Sequence, residues 1–102
     1  MLHAVTPSYT QPAQTLAPYV EAHKKWLAEG VSKGWVIVAG PLTGGNAGFI
    51  LFQADDAEWI TTFLQSDPFV VHKLVTVEMH SISPAIGSKN FHVDWAASAT
   101  LL

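Results

Sequence analysis

The sequence contains no cysteine, and this absence removes several kinds of chemistry. No disulfide can support the fold, no thiol can act as a nucleophile, and no thiolate can bind a metal. Charge is also scarce, since 13% of the residues are charged against roughly 25% in an average globular domain. With five Lys and Arg residues and a net charge of -3, the chain is not expected to bind nucleic acid, because phosphate contacts need clustered cations.

Long hydrophobic runs are missing as well. No segment approaches the roughly 20 apolar residues that a membrane-spanning helix needs. The N-terminal residues lack the basic region and continuous apolar core of a signal peptide. We therefore expect a cytoplasmic protein that has no contact with a membrane.

Hydrophobic residues, in contrast, make up 49% of the 102-residue chain. A chain of this length forms one domain. Its surface is large for its volume, and such a surface normally needs charge to stay solvated. This combination predicts that part of the exterior is buried against a second copy of the chain, as a homodimer or a higher oligomer.

The pattern of apolar residues predicts two helices. Side chains at spacings of three and four indicate a first helix between about residues 15 and 33, and they are Leu16, Tyr19, Val20, His23, Trp26, Leu27 and Val31. Pro18 fits only the first turn, so this helix should begin near Leu16 or Ala17, and Gly34 should cap its end. A second helix should begin after Asp55 as N-cap, with Glu58 completing a capping box, and should end at residues 66–68.

Four apolar segments of strand length surround these helices, at about residues 1–9, 35–39, 49–54 and 72–82. Pro7 weakens the first, because proline donates no ladder hydrogen bond and usually marks an edge or a bulge. The order βαββαβ predicts an α+β, ferredoxin-like domain over residues 1–84, with a four-stranded antiparallel sheet and both helices on one face. The other face should be bare within the chain and covered by a second copy, and residues 85–102 should be a tail that packs on the domain or on the dimer partner.

Two polar residues stand out as candidates for catalysis. His23 occupies a position of the first helical stripe where a leucine would be expected, and Asp67 lies at the end of the second helix. Because both helices cover the same sheet face, the two side chains could meet beside a cleft, where the carboxylate would orient the ring and leave one ring nitrogen free as base or acid. Both residues also have ordinary structural uses, as a hydrogen-bonded core histidine and as a turn or cap aspartate.

Residues that could form a substrate pocket are less specific. Aromatic side chains offer possible walls for a ring-shaped ligand, and the candidates are Tyr9, Trp26, Trp35 and Phe69. Ser66 and Gly40 are expected near the same pocket. His3, His72 and His80 have no ligand spacing and should be exposed or capping residues, and His92 with Asp94 falls short of a metal site. We expect neither a metal nor a cofactor.

Several short segments resemble the YCII-related domain family of the dimeric α/β-barrel superfamily. They are AHKKWL at 22–27, AGPL at 39–42, the glycines before FILF, and especially SDPFV at 66–70. The resemblance runs from the first strand to about Pro84. It implies a ferredoxin-like subunit, a dimer formed sheet to sheet, and an active site that contains His23 and Asp67. Two departures concern the pocket: Pro7 interrupts a strand that is usually uninterrupted, and residues 43–47 lack the basic residues often found there.

The resemblance also implies a class of chemistry, because the best-described activity of the family removes HCl from a chlorinated hydroxyquinol. Our first hypothesis is therefore a cofactor-independent lyase or isomerase that moves protons on a small cyclic or aromatic metabolite, with His23 and Asp67 as the pair. The second is a non-catalytic small-molecule-binding or accessory dimer. The third is a structural dimer in which the His–Asp contact ties one helix to the other.

Overall fold

The chain follows the predicted βαββαβ order and adds short helices and a small C-terminal sheet. The computed structural model describes residues 1–102. The main elements are β1 (Leu2–Tyr9), α1 (Ala13–Leu16), α2 (Val20–Ser32), β2 (Val36–Pro41), β3 (Gly48–Gln53), α3 (Ala57–Leu64), α4 (Pro68–Val71), β4 (Val75–Ile82), β5 (Ile86–Gly87) and β6 (Thr100–Leu101). Two 3₁₀ turns lie at Ala17–Tyr19 and Val93–Trp95. None of the helices has the length and hydropathy needed to cross a membrane.

The four long strands form one antiparallel sheet in the order β2-β3-β1-β4. One face of this sheet carries the main core, in which strand residues pack against α2 and α3. The buried members of that core are Val5, Val36, Ile50 and Phe52 from the strands, Trp26 from α2, and Ile60, Phe63 and Leu64 from α3. This is the predicted ferredoxin-like architecture, with both long helices on the same side.

The sequence pattern predicts one helix before β2, but this segment is divided. The chain forms the short α1, then the 3₁₀ turn that contains Pro18, and only then α2. Proline has no backbone N–H to donate and crowds the preceding turn, so the α-helix proper begins after it, at Val20. Gly34 has φ 81°, and its N–H bonds to the carbonyl of Val31, so the predicted glycine end of the helix is confirmed.

The start of α3 also corrects the prediction. Asp56, not Asp55, is the N-cap, and its side chain accepts a hydrogen bond from the backbone N–H of Glu58 at 2.8 Å. Two adjacent aspartates can cap equally well, so the choice depends on which helix start turns Ile60 and Phe63 into the core. Sequence pattern alone could not resolve that one-residue difference.

The last strand begins later than expected, at Val75 and not at His72. The intervening residues form the short α4, whose first residue is Pro68 and whose N-cap is Asp67. Proline is well suited to the first position of a helix, since that N–H has no intrahelical partner. The turn that follows contains Lys73 with φ 57°. This extra helix fixes the position of Asp67.

Pro7 lies within β1 at a point where pairing on one side is interrupted. The register with β3 runs from Leu2 to Val5, and only an isolated bridge between Ser8 and Ala47 follows. On its other side β1 stays paired with β4 up to Tyr9. A residue without an N–H is tolerated here because the β3 side offers no continuous ladder. The resulting gap lies beside the candidate site.

The second face of the sheet is partly covered by the chain itself, which corrects the expectation that it has no cover. Residues 83–88 with Phe91 and Ala96 enclose a cavity of about 280 Å³ against Leu2 and Ile82. Leu2 is accordingly buried although it points away from the helices. The tail is held by β5 and β6, which pair in parallel. The uncovered remainder, which we call the open face, includes the exposed Val38 of β2 and the half-buried Phe49 and Leu51 of β3.

Candidate active site

His23 and Asp67 meet between α2 and the start of α4. The Nδ1 atom of His23 lies 2.8 Å from Oδ1 of Asp67. His23 is 16% exposed, whereas Asp67 is 1% exposed and lies behind it. The sequence placed both residues on the helix-covered side of the sheet, and the structure brings them into direct contact. Whether this contact serves core packing, helix capping or chemistry depends on what surrounds each side chain.

Asp67 makes all of its side-chain hydrogen bonds through one oxygen. Oδ1 accepts from His23 Nδ1 and, at 3.1 Å, from the backbone N–H of Phe69, which makes Asp67 the N-cap of α4. Oδ2 is buried and has no hydrogen-bond partner in the protein. An unsatisfied buried polar atom costs about 1–3 kcal/mol, and more when it is charged. A carboxylate placed only to cap a helix would not need this burial, so the arrangement favours a role beyond capping.

The chemistry of the acceptor determines the form of the histidine ring. A carboxylate oxygen can only accept, so Nδ1 of His23 carries the proton that it donates to Asp67. In the neutral ring Nε2 is then unprotonated and carries a lone pair. It makes no hydrogen bond within the chain. Nε2 is also not among the buried atoms that lack a partner, so it is accessible from outside. Held in this way, the ring presents a base.

That base borders a cavity of about 380 Å³, a size typical of pockets for small ligands. The cavity lies between α2 and the ends of β1, β2 and β3. Its walls are mostly apolar, and the residues that line it are Pro7, Tyr9, Val20, His23, Lys24, Leu27, Ala39, Gly40, Pro41, Gly48, Phe49, Ile50 and Phe69. The gap in strand pairing at Pro7 therefore contributes directly to the space beside His23.

Aromatic rings hold His23 in place at the edge of this cavity. The His23 ring stacks on Phe69 with a centroid distance of 4.1 Å and an interplanar angle of 11°. Tyr9 meets the same Phe69 edge to face at 6.2 Å. Trp26 lies nearly parallel to His23 at 5.9 Å. Because both the hydrogen bond and the stacking fix the ring, little reorganisation is needed for Nε2 to face a ligand.

The structure divides the predicted substrate-binding residues into two groups. Tyr9, Gly40 and Phe69 line the cavity. Trp26 and Ser66 do not line it, because the indole Nε1 of Trp26 donates to Ser66 Oγ at 3.0 Å behind the site. Ser66 Oγ in turn donates to the Phe63 carbonyl at 2.7 Å. These two residues support the helices that carry the site, and their contact with a substrate stays a prediction.

Sequence reasoning missed one charged member of the cavity lining, Lys24. As one of two adjacent lysines on a helix, it gave no signal that distinguished it from Lys25. The glycine at position 48 was also missed, although it immediately precedes the FILF segment.

The burial of His3 also differs from the prediction. It was expected to be exposed or capping, but it is fully buried. Its ring nitrogens lie 2.7 Å from Ser81 Oγ and 3.0 Å from the Ala54 carbonyl, so the hydrogen bonds needed for burial are supplied across the sheet. His72 and His80 are exposed, as predicted. No group of three or more potential metal-ligating residues is present, and His92 with Asp94 forms only an exposed pair at 3.6 Å.

Comparison with known proteins shows the family of the chain. The chain is similar over 80% of its length to 5-chloro-2-hydroxyhydroquinone dehydrochlorinase (TftG) from Burkholderia phenoliruptrix, solved in complex with 2,5-dihydroxybenzoquinone. The TM-score is 0.69, the sequence identity is 20%, and 93% of that enzyme's chain is covered. This likeness shows the fold. No curated protein matches the chain. The YCII-related domain model matches residues 1–80, and the chain therefore belongs to the YCII-related domain family.

Proposed function

We propose that this protein is a small enzyme that catalyses cofactor-independent proton transfer on a cyclic or aromatic metabolite, as a lyase or isomerase. The observation that carries the proposal is the state of His23. Its Nδ1 is engaged by the buried carboxylate of Asp67, its Nε2 is accessible, and the residue lines an apolar cavity. An oriented base beside a ring-sized cavity is the arrangement that proton abstraction from a hydroxylated ring requires. Asp67 acts as the positioning residue and stabilises the imidazolium that forms.

One base at this position can serve both reaction types. In an isomerisation, His23 takes a proton from one atom of the ring compound and returns it to another. In a hydroxylated ring that carries chlorine, it can move one hydroxyl proton to the chlorine-bearing carbon. Removal of a second hydroxyl proton then expels chloride, so the net loss is HCl. The likeness in fold to a dehydrochlorinase supports the lyase form.

The cavity walls support a planar substrate. Phe69 and Tyr9 present aromatic surface, and Gly40, which lacks a side chain, leaves room for a ligand to approach the backbone. The 380 Å³ volume suits a single substituted ring. Trp26 and Ser66 contribute indirectly, through the hydrogen bond that fixes α2 against the end of α3.

The experiment is a chloride-release assay with 5-chloro-2-hydroxyhydroquinone, together with calorimetric binding of 2,5-dihydroxybenzoquinone, the two compounds named for the neighbour. We expect turnover that His23→Ala lowers by about 10² to 10⁴, the usual contribution of general acid–base catalysis. His72→Ala is the matched control, since His72 is exposed and does not line the cavity. Binding without product, by wild-type protein and across a panel of hydroxylated rings, would favour the non-catalytic alternative. Equal turnover by the wild-type and His23→Ala proteins would refute the assignment of His23.

We also propose that the protein forms a homodimer through the open face. Val38 is 54% exposed, and the neighbouring Phe49 and Leu51 are only half-buried. Exposed apolar area is costly at roughly 25 cal/mol per Å², and a second open face laid against it would remove that cost. The polar side chains on the β1 and β4 part of this face limit the apolar contact to the β2 and β3 part.

Light scattering after size-exclusion chromatography tests this dimer. Val38→Asp should shift the protein from dimer to monomer, because an unpaired charge would be buried in the contact. Val71→Asp is a matched control, since Val71 is 56% exposed but lies on α4, away from the open face. A monomeric wild-type protein at micromolar concentration would refute the dimer, and so would equal effects of the two substitutions.

A further inference from the structure

The cavity beside His23 has an uneven set of polar groups. Besides His23, the residues that line it include one lysine, Lys24, and one tyrosine, Tyr9, and neither an aspartate nor a glutamate. We propose that the cavity selects ring compounds that carry an anionic oxygen, and that Lys24 and Tyr9 are the residues that recognise this oxygen. The inference rests on the proposed function, because it names the substrate class of the same site.

Lys24 is free to turn toward a ligand. It follows His23 directly on α2, and its ammonium group lies 3.8 Å from Oε1 of Glu21. Both side chains are largely exposed, at 67% and 90%, so this ion pair is weak and easily exchanged. Glu21 does not line the cavity.

The acidic residue nearest to the base does not present its carboxylate to a ligand in the cavity. Asp67 is buried behind His23 and does not line the cavity. Loop residues 43–47 carry no charge, so they add neither attraction nor repulsion. The ammonium group of Lys24 is largely exposed, so it attracts an anion with the modest strength of a surface charge. The cavity therefore favours a negative ligand.

The hydroxyl of Tyr9 provides a second, independent observation. This hydroxyl makes no hydrogen bond within the chain, although Tyr9 is half-buried. It lies close to Gly48, because a β-carbon placed on that glycine would be 3.7 Å from the Tyr9 oxygen. Gly48 also lines the cavity. Since the edge-to-face contact with Phe69 holds the ring, the O–H is a positioned donor that has no hydrogen-bond partner within the chain.

The two donors match the charge that proton transfer creates. When His23 Nε2 takes the proton of a ring hydroxyl, the ring becomes an anion and the imidazole becomes a cation. Donors placed at the anionic oxygen stabilise that state more than the neutral ring. A substrate that arrives already ionised would meet the same two donors. Recognition and catalysis thus call for the same class of compound, an acidic ring hydroxyl.

Calorimetric titration of the full chain with two ring compounds of equal shape tests the inference. The probes are para-nitrophenolate, at a mildly alkaline pH where the phenol is ionised, and the neutral para-nitroaniline. We expect tighter binding of the anion, by several-fold at low ionic strength. Lys24→Gln should weaken binding of the anion by roughly threefold to fivefold, the upper range for an exposed charge pair. It should leave the affinity for the aniline unchanged.

Lys25→Gln is the matched control, because it removes the same charge from the next residue, which does not line the cavity. It should change either affinity by less than twofold. Glu21→Gln removes the competitor of Lys24 and should slightly strengthen anion binding. Tyr9→Phe removes only the hydroxyl and should weaken binding of the anion by about tenfold, since hydrogen bonds to charged acceptors are stronger than those to neutral ones. Its melting temperature reports whether the packing on Phe69 is intact.

Equal affinity for the two probes would overturn the inference, and so would equal losses in Lys24→Gln and Lys25→Gln. These outcomes are distinct from failure of the proposed function. If the protein prefers the anion through Lys24 but converts no hydroxylated ring, the anion site stands and the proposed enzymatic activity is wrong. Turnover without any preference for the anion would do the reverse.

Discussion

Replacement of Asp67 by asparagine separates the charge of this side chain from its geometry. Oδ1 alone accepts both hydrogen bonds, from His23 Nδ1 at 2.8 Å and from Phe69 N at 3.1 Å. Because both donors need an oxygen, asparagine should place its amide oxygen there and its nitrogen at the position of Oδ2. That position has no hydrogen-bond partner in the native protein. The substitution should therefore keep the protonated Nδ1 of His23 and remove only the negative charge.

The expected loss of activity follows from this difference. A hydrogen bond to a charged acceptor contributes about 1.5–3 kcal/mol, and one to a neutral acceptor about 0.5–1.5 kcal/mol. The difference of about 1–1.5 kcal/mol corresponds to a loss of roughly tenfold in kcat. His23→Ala, which removes the base, should lose about 10² to 10⁴. Stability should change by less than about 1 kcal/mol in Asp67→Asn, because the weaker hydrogen bond is offset by relief of a buried charge whose second oxygen is unpaired.

The assay compares kcat for the wild-type protein, Asp67→Asn, Asp67→Ala and His23→Ala, with urea unfolding of each. Asp67→Ala removes the anchor of the ring and the cap of α4, so it should lose more activity than Asp67→Asn and about 1–2 kcal/mol of stability. An Asp67→Asn protein that loses as much activity as His23→Ala would refute this reasoning. So would Asp67→Asn with unchanged activity, since the charge would then have no part in the reaction.

Two further predictions concern the fold. Gly30→Ala should lower the free energy of unfolding by about 1–3 kcal/mol, because the new β-carbon would lie 2.8 Å from Val36 Cγ2. The control in thermal unfolding is Gly40→Ala, since Gly40 has open space around it. A melting temperature of Gly30→Ala equal to that of Gly40→Ala would contradict the close approach of α2 to β2. Ser81→Ala should cost about 1–3 kcal/mol in urea unfolding, because it leaves Nδ1 of the buried His3 without a partner, and an unchanged unfolding midpoint would contradict this.

The fold could be predicted from the sequence because periodicity and turn residues agreed over most of the chain. The apolar runs at the second and third strands and the stripe of α3 each had one consistent interpretation. The pattern failed where a local rule allowed two solutions, as with the adjacent Asp55 and Asp56. It also failed at Pro18, which lies in a 3₁₀ turn between α1 and α2 instead of within the first turn of one helix.

The pair of His23 and Asp67 was predicted partly from physical reasoning and partly from the resemblance to the YCII-related domain family. His23 stood out because it occupied an apolar stripe, and Asp67 because it preceded a proline after a helix. Topology then placed both residues on one side of the sheet, where they lie 2.8 Å apart. Which oxygen of Asp67 accepts, and that the other is left without a partner, could not be known from spacing.

The rest of the site depends on three-dimensional details that leave no mark in the sequence. Trp26 faces away from the cavity because Ser66 and the Phe63 carbonyl both lie within reach of its indole nitrogen. Lys24 lines the cavity and Lys25 does not, although the two residues are alike in sequence. The covering of Leu2 by the tail likewise depends on long-range packing.

The central claim is that His23 is held as a base, with its proton on Nδ1 and its lone pair on Nε2. Long-range proton–nitrogen NMR correlation spectra of the neutral ring report this directly. His3 serves as an internal reference of opposite type, because the Ala54 carbonyl requires a proton on its Nε2. We predict a protonated Nδ1 in His23 and a protonated Nε2 in His3. A His23 ring with its proton on Nε2 would contradict the account, because no base would then face the cavity.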